Sequence, residues 1–231
     1  MIKAVLWDID GTLLNFLKSE KYGIKKCFEL FGLGECTDEM IERYSKINQK
    51  YWKRLELGEI TKPQVLRGRF EEFFALENTG FDRIDDFNGE YQIRLGDKVF
   101  FSDNGLETVE ALRGRVKQYA VTNGTYIAQK RKLELSGLEK KLDGIFISDK
   151  IGFEKPSIEF FDHVRKNVDP YDNNEVMIVG DSLTGDMRGG NNAGYLCCWY
   201  NPDRKINNTD IKIDYEITDL LQVIDIINES A

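Results

Sequence analysis

At 231 residues, the chain is long enough for one α/β domain with a sizeable insertion or for two small domains, and its 41% apolar residues allow a proper core. The formal net charge of -8 argues against a general nucleic-acid or membrane surface, because polyanions bind through clustered lysine and arginine. A small anionic substrate would need local positive charge from a lysine, a metal ion or a helix N-terminus.

Short apolar runs recur along the chain, and each ends in small or acidic residues. Strands are predicted at 2–7, 116–121, 144–147, 176–179, 195–199 and, from a weaker pattern, 215–217. Helices with one apolar face are predicted at 106–112, 127–138, 158–168 and 220–227. Strands that alternate with helices are typical of a parallel sheet with crossover helices, so we expect the α/β fold class.

The segment 16–98 differs from the rest because it has helical periods, many aromatics and no convincing strand. A long helix is predicted over 38–57, and a second helix begins near Thr61, where Pro63 suits the first turn and Gln64 completes a capping box. A helical block inserted after the first strand predicts a second, smaller domain. We therefore expect a sheet domain made of 1–15 and 99–231 and a helical domain made of 16–98.

The cysteines and the N-terminus bear on the compartment. The four cysteines form no Cys-x-x-Cys pair, and the single histidine, His163, lies in a predicted helix, so zinc is not expected. The N-terminus reaches charged residues too soon for a signal peptide, and no later apolar run could span a bilayer. We expect a cytoplasmic protein with reduced thiols and no membrane partner.

Carboxylates follow two of the predicted strands, where ligands bind in an open parallel sheet. Asp8 and Asp10 come directly after the first strand and would lie on one side of an extended backbone, while Gly11 permits a sharp turn. Asp181 follows the fourth strand. Carboxylates held close together require a cation or a shared proton, and oxygen ligands without histidine or cysteine favour Mg²⁺.

Potential phosphate-binding groups occupy comparable positions. Lys155, at the start of a helical pattern, would hold a phosphate in this acidic environment, while Thr122 and the amides around Asn123 offer neutral donors. An aspartate such as Asp8 can form an aspartyl-phosphate, and Asp10 can protonate the leaving oxygen and then activate water. Each residue alone is an ordinary turn former, but their joint order along the chain indicates phosphoryl transfer.

These residues resemble the four motifs of the haloacid dehalogenase-like hydrolase superfamily. The matching residues are Asp8-Ile9-Asp10-Gly11-Thr12-Leu13, Thr122, Lys155-Pro156 and Gly180-Asp181-Ser182 through Asp186. The resemblance implies that Asp8 is the nucleophile, that Asp10 is the general acid/base, and that Thr122 and Lys155 bind phosphate. It also implies that Asp8, Asp181 and the backbone carbonyl of Asp10 hold Mg²⁺, with Asp186 in support.

The same resemblance implies a Rossmann-like core with a helical cap. Dehalogenases of this superfamily lack an acid/base carboxylate at the position of Asp10, so Asp10 favours a phosphatase. The segment from Gly58 to Phe74 is similar to cap segments of bacterial nucleotidases that hydrolyse nucleoside monophosphates.

Several alternatives stay open from the sequence. The aromatics Tyr51, Trp52, Phe70, Phe73 and Phe74 either stack a base or pack the core of the helical domain. The substrate is expected to be a small phosphorylated metabolite, either a nucleoside 5'-monophosphate or a sugar phosphate, and a non-catalytic phosphate-binding relative is the remaining reading. No nucleic-acid partner is expected, and the sequence leaves open a monomer or a homodimer.

Overall fold

Six parallel strands form one sheet in the computed structural model, which describes residues 1–230. The strands are β1 (Ala4–Trp7), β2 (Lys117–Thr122), β3 (Gly144–Ile147), β4 (Val176–Gly180), β5 (Leu196–Tyr200) and β6 (Tyr215–Ile217). Their order is β3-β2-β1-β4-β5-β6, so the chain runs outward in opposite directions on the two sides of β1. The carboxyl ends of β1, β2 and β4 therefore lie side by side, at the position where ligands bind in such sheets.

Each helix that the periodicity predicts is present, and the structure contains further helices that the periodicity does not predict individually. The first four belong to the insertion after β1: α1 (Phe16–Phe31), α2 (Asp38–Glu56), α3 (Lys62–Leu76) and α4 (Ile84–Arg94). The others are α5 (Gly105–Leu112), α6 (Tyr126–Ser136), α7 (Ser148–Ile151), α8 (Ile158–Lys166), α9 (Arg188–Ala193) and α10 (Gln222–Glu229). Short 3-10 turns occur at Leu138–Lys140 and Asn173–Glu175, and a π-helical turn at Leu183–Met187. Through residue 230, no helix combines the length and apolarity needed to cross a bilayer.

The chain divides into two compact units. The sheet unit contains Met1–Asn15, Phe100–Tyr126 and the described chain from Ser136 onward, and the helical unit contains Phe16–Val99 and Ile127–Leu135. The boundaries predicted from sequence place the last of these segments in the sheet domain instead. It groups with the helices because Ala128 packs in their apolar cluster and Arg131 forms an ion pair with Asp97. A periodic pattern marks a helix but carries no information about which unit it packs against.

The sheet unit has the continuous apolar strands that a sheet covered on both faces requires. All four residues of β1 are buried, and so are all five of β4. Within this core, the Trp7 indole donates a hydrogen bond of 3.1 Å to Gln118, which donates in turn to the carbonyl of Val109. These observations confirm the predicted α/β class and its parallel sheet.

The helical unit is built around packed aromatic rings. Phe70, Phe73 and Phe74 are at most 3% exposed, which supports core packing for these three rings. The ring of Phe70 lies parallel to that of Tyr44 with centroids 5.2 Å apart, an offset arrangement that aromatic pairs favour. The predicted capping box is confirmed, because the side chain of Gln64 accepts a hydrogen bond of 2.8 Å from the amide of Thr61 at the start of α3.

Candidate active site

Asp8 stands at the carboxyl end of β1 and is only 7% exposed. Its amide donates to the carbonyl of Val179 on the neighbouring strand, which fixes its backbone. One carboxylate oxygen, Oδ1, accepts a hydrogen bond of 2.7 Å from Lys155 Nζ. The other oxygen, Oδ2, is buried and has no hydrogen-bond partner among the described residues. Since a buried carboxylate oxygen is costly to leave unbonded, this atom is poised for a ligand.

Lys155 joins three parts of the sheet edge through its ammonium group. It is 3% exposed and donates to Asp8 Oδ1, to Asp186 Oδ1 at 2.6 Å and to the carbonyl of Val121 at 2.8 Å. These three bonds use all three donors of an ammonium group. The ends of β1 and β2 and the loop after β4 are therefore linked through one cation.

Asn123 holds the backbone of Lys155 through both atoms of its side-chain amide. Its Oδ1 accepts from the Lys155 amide at 2.8 Å, and its Nδ2 donates to the Lys155 carbonyl at 2.9 Å. Beside it, the buried hydroxyl of Thr122 accepts from the amide of Gly124 at 3.1 Å. The Asn123 side chain is thus committed to locating Lys155.

Three carboxylates converge at this edge of the sheet. Asp8, Asp181 and Asp186 each offer one oxygen, and these oxygens all lie within 4.8 Å of one another. A set of oxygen ligands at this spacing, with the unbonded Oδ2 of Asp8 among them, fits a hard divalent cation such as Mg²⁺. The residues present therefore match the ion that the sequence predicts.

Two glycines let the backbone lie directly against the carboxylates of Asp181 and Asp186. Gly11 has φ of +99°, and a Cβ added there would lie 2.7 Å from Asp181 Oδ2. A Cβ on Gly180 would lie 2.2 Å from a carboxylate oxygen of Asp186. These contacts require glycine at both positions, because any side chain would displace a carboxylate of the cluster.

Asp10 lies two residues beyond Asp8, in the turn that follows β1. Its backbone pairs with Leu14, and the amides of Gly11 and Leu14 close the turn through bonds of 2.8 Å. Asp10 is half-buried, and its charge is close enough to raise the pKa of Asp8. The predicted site residues therefore gather at one edge of the sheet, with Asp10 beside the three-carboxylate group.

Burial and the charges of this cluster shift the pKa values of Asp8 and Lys155. Burial raises the pKa of Asp8 to about 7, the charges of Asp186 and Asp10 add to the rise, and Lys155 opposes it. Burial would lower the pKa of Lys155, but the charges of Asp186 and Asp8 outweigh burial and raise it. Without a further cation, the cluster holds more negative charge than Lys155 balances, which is the condition for binding a metal ion.

One contact near the site has no counterpart in the sequence prediction. The indole of Trp199 on β5 donates a hydrogen bond of 3.0 Å to the backbone carbonyl of Asp181. In the sequence, Trp199 ends an apolar run and is indistinguishable from a core residue. Only the pairing of β4 with β5 brings it beside Asp181.

Known proteins with similar sequences point to one family. The family described as haloacid dehalogenase-like hydrolase matches residues 2–194. The HAD-hydrolase YfnB of Bacillus subtilis is 32% identical over 98% of this chain and 95% of its own length. A crystal structure of YfnB bound to magnesium has a TM-score of 0.92 and covers 98% of this chain and 99% of that chain.

Two further relatives are named as nucleotidases. The pyrimidine 5'-nucleotidase PynA of Streptococcus pneumoniae is 30% identical over 96% of this chain and 95% of its own length. The pyrimidine 5'-nucleotidase YjjG of Escherichia coli is 28% identical over 85% of each chain. Both alignments cover most of the relative, so the similarity extends beyond the sheet unit.

Proposed function

Because the chain belongs to the haloacid dehalogenase-like hydrolases and is an enzyme of the phosphatase type, we propose that it hydrolyses nucleoside 5'-monophosphates in a Mg²⁺-dependent reaction through an aspartyl-phosphate on Asp8. The observation that carries the proposal is the environment of Asp8. Its Oδ1 is bonded to Lys155, its Oδ2 is buried and unbonded among the described residues, and Asp181 and Asp186 stand beside it.

The first step is the attack of Asp8 on the phosphorus atom. A new bond forms between the carboxylate and phosphorus as the bond from phosphorus to the ester oxygen breaks. The positive charge of Lys155, whose backbone Asn123 holds, neutralises charge on the phosphoryl group, and Asp10 gives its proton to the leaving oxygen. The nucleoside departs as a neutral alcohol, and Asp10 is left ionised.

The second step hydrolyses the aspartyl-phosphate. Asp10 takes a proton from water as that water attacks phosphorus, and the bond from phosphorus to Asp8 breaks. Inorganic phosphate leaves, and both carboxylates return to their starting states. Asp8, Asp181 and Asp186, with the carbonyl of Asp10, would hold a Mg²⁺ ion, which would supply positive charge to neutralise the transferring group.

The nucleotide preference draws its support from PynA and YjjG, which are both named as pyrimidine 5'-nucleotidases. The second candidate is a phosphatase for sugar phosphates or other small metabolites, which uses the same groups in the sheet unit. The two candidates differ only in what the ester oxygen carries. The chemistry at Asp8 is common to both.

A substrate panel tests the proposal. Phosphate release is measured from an aryl phosphate, from pyrimidine and purine nucleoside 5'-monophosphates and from sugar phosphates, each with Mg²⁺ and with EDTA. We expect turnover only with Mg²⁺ and a kcat/KM for nucleotides above that for sugar phosphates. Faster hydrolysis of sugar phosphates would establish the second candidate, and turnover that survives EDTA would exclude the metal-dependent mechanism.

A further inference from the structure

Asp181 differs from the other two carboxylates of the cluster in its exposure. Asp8 and Asp186 are buried and each accepts a hydrogen bond from Lys155, whereas Asp181 is exposed and lies on the loop between β4 and the π-helical turn. An exposed side chain on a loop has several rotamers and backbone states available. Its use as a metal ligand therefore depends on contacts that restrict it.

A residue in the core of the sheet restrains the backbone of Asp181. Trp199 is 2% exposed, and its strand pairs with β4 so that Trp199 lies level with Gly180, the residue before Asp181. The indole Nε1 donates to the Asp181 carbonyl at 3.0 Å. A buried indole has a single donor and requires an acceptor, so this bond holds the carbonyl side of the peptide plane that follows Asp181.

Residues of the turn after β1 restrict the position of the Asp181 carboxylate. The hydroxyl of Thr12 lies 3.4 Å from Asp181 Oδ1, which is long for a hydrogen bond, and Gly11 lies against the same carboxylate. These contacts limit where the carboxylate points but do not fix the backbone that carries it. The Trp199 bond restrains that backbone, together with the bond of 3.1 Å that the Ser182 amide donates to Asp186 Oδ2.

Trp7 shows what a purely structural indole looks like in the same sheet. It is fully buried, and its N–H donates to Gln118, another core residue. The acceptor of Trp199, in contrast, belongs to a residue whose side chain lies within the three-carboxylate group. The two tryptophans are both buried and use the same donor, but they differ in the residue that accepts the bond.

We propose that Trp199 is a positioning residue for the metal site: its indole N–H fixes the backbone of Asp181 and so preorganises the Asp181 carboxylate to bind the divalent cation. This inference rests on the proposed Mg²⁺ site. Groups that orient a metal ligand commonly contribute 10- to 100-fold to metal affinity. The bond from Trp199 holds the backbone of a metal ligand and does not contact the substrate. Its loss is therefore expected to raise the Kd for Mg²⁺ alone.

The test compares two variants of the full chain by calorimetric titration with Mg²⁺ alone. Trp199→Phe removes the donor, and we expect the Kd for Mg²⁺ to rise about 10-fold. Cys198→Ala is the matched control, because Cys198 is buried on the same strand but points to the opposite face. It leaves a small cavity and lowers thermal stability, yet its Kd should equal that of the wild type.

A third variant, also at position 199, separates the loss of the N–H donor from the change in ring shape. Replacing Trp199 with 3-benzothienylalanine puts sulfur in place of the N–H while keeping a bicyclic ring of nearly the same size, so it serves even where the phenylalanine variant folds poorly. We expect the same rise in Kd. An unchanged Kd in this variant, or an equal rise in Cys198→Ala, overturns the positioning role, whereas no Mg²⁺ binding by the wild type overturns the metal site on which it rests.

Discussion

Lys155 in the sheet unit and Arg69 in the helical unit are both buried cations, and they differ in the charge that surrounds them. Lys155 is 3% exposed, donates to the carboxylates of Asp8 and Asp186, and has Asp181 nearby. One positive charge thus faces three carboxylates. The surplus negative charge and the unbonded Oδ2 of Asp8 make this cluster incomplete without a further cation.

Arg69 is 1% exposed, but its guanidinium donates to neutral amide oxygens, those of Asn48 at 2.9 Å and Asn88 at 3.0 Å. A single carboxylate, that of Glu20, joins the network by accepting a hydrogen bond of 2.8 Å from Asn48. The guanidinium also lies over the ring of Phe70, 4.8 Å from its centroid. Arg69 Nε is buried without a hydrogen-bond partner among the described residues, so aromatic faces and amide oxygens, not carboxylates, make up most of the surroundings of this cation.

The comparison teaches that burial of a cation does not by itself indicate a catalytic site. Both clusters contain buried polar groups that are held by hydrogen bonds. A binding site is indicated where the surrounding carboxylates exceed the cation and leave a carboxylate oxygen unbonded, as at Asp8. Where amides and rings surround the cation, as at Arg69, the network locks the packing of helices.

Asp8→Asn makes the largest change we expect, because it removes the attacking charge with almost no change in volume. Turnover should fall more than about 1,000-fold. The metal-free variant should unfold at a temperature no lower than the wild type, since a buried carboxylate with a raised pKa is replaced by a neutral group. Phosphate release and thermal melts in EDTA measure the two effects. Near-normal turnover would exclude Asp8 as the nucleophile. A large loss of stability would show that the groups around Asp8 already stabilise its negative charge without a metal ion.

Much of this comparison is accessible from the sequence. Six strands and the residues that follow them are marked by short apolar runs, and these runs alone place Asp8, Thr122 and Asp181 at strand ends. Parallel strands with crossover helices then bring those ends to one edge of the sheet. The site follows from local patterns because a strand end is a local feature.

The partners of the site residues are not accessible in the same way. Asn123 bonds to Lys155 across 32 positions and Trp199 bonds to Asp181 across 18, and neither separation corresponds to a helical or strand period. Arg69 gives no sequence signal of burial, because arginine on a helix is usually exposed. Such contacts depend on the packing of elements that are distant in the sequence.

Arg69→Met tests whether the polar cluster of Arg69, Asn48, Asn88 and Glu20, the helical cluster, stabilises the packing of the helices. It leaves the buried amide oxygen of Asn48 without this donor and removes one of two donors to Asn88, which keeps its bond from Gln92, so we expect a loss of about 3 kcal/mol in the free energy of unfolding. Arg67→Met is the matched control, because Arg67 lies on the same helix and its side chain is 50% exposed in pairs with Glu71 and Asp85. Urea denaturation should show a much smaller change for Arg67→Met, and equal losses would contradict the structural role of Arg69.

Asn123→Ala returns to the sheet unit with a smaller expected effect. It removes both hydrogen bonds that locate the Lys155 backbone, so we expect kcat/KM to fall about 10-fold, mainly through a higher KM for the phosphorylated substrate. Asn192→Ala is the control, because the exposed Asn192 donates to the carbonyl of Pro156, the next residue along. Steady-state kinetics should leave this control unchanged. An unaltered KM in Asn123→Ala would mean that the remaining bonds of Lys155 suffice to position it.

Glu20→Gln examines the charge balance of the helical cluster with the smallest expected effect. Burial raises the pKa of Glu20 above its ordinary value, although hydrogen bonds from Ser45 and Asn48 and the charge of Arg69 oppose the rise. Glu20 therefore binds a proton more readily in the folded chain than in the unfolded chain. Its contribution to the free energy of unfolding is fully present below the pKa that Glu20 has in the unfolded chain, and it is lost as pH rises through the pKa that Glu20 has in the folded chain.

Because glutamine does not titrate, the variant should gain stability relative to the wild type as pH rises from about 4 to 8. Urea denaturation monitored by circular dichroism across this range measures the difference. Glu29→Gln, an exposed change on the same helix, should follow the wild type. If the wild type instead gains stability with pH relative to Glu20→Gln, then Glu20 is ionised beside Arg69, and the helical cluster contains a buried ion pair much like that of Lys155 with its carboxylates.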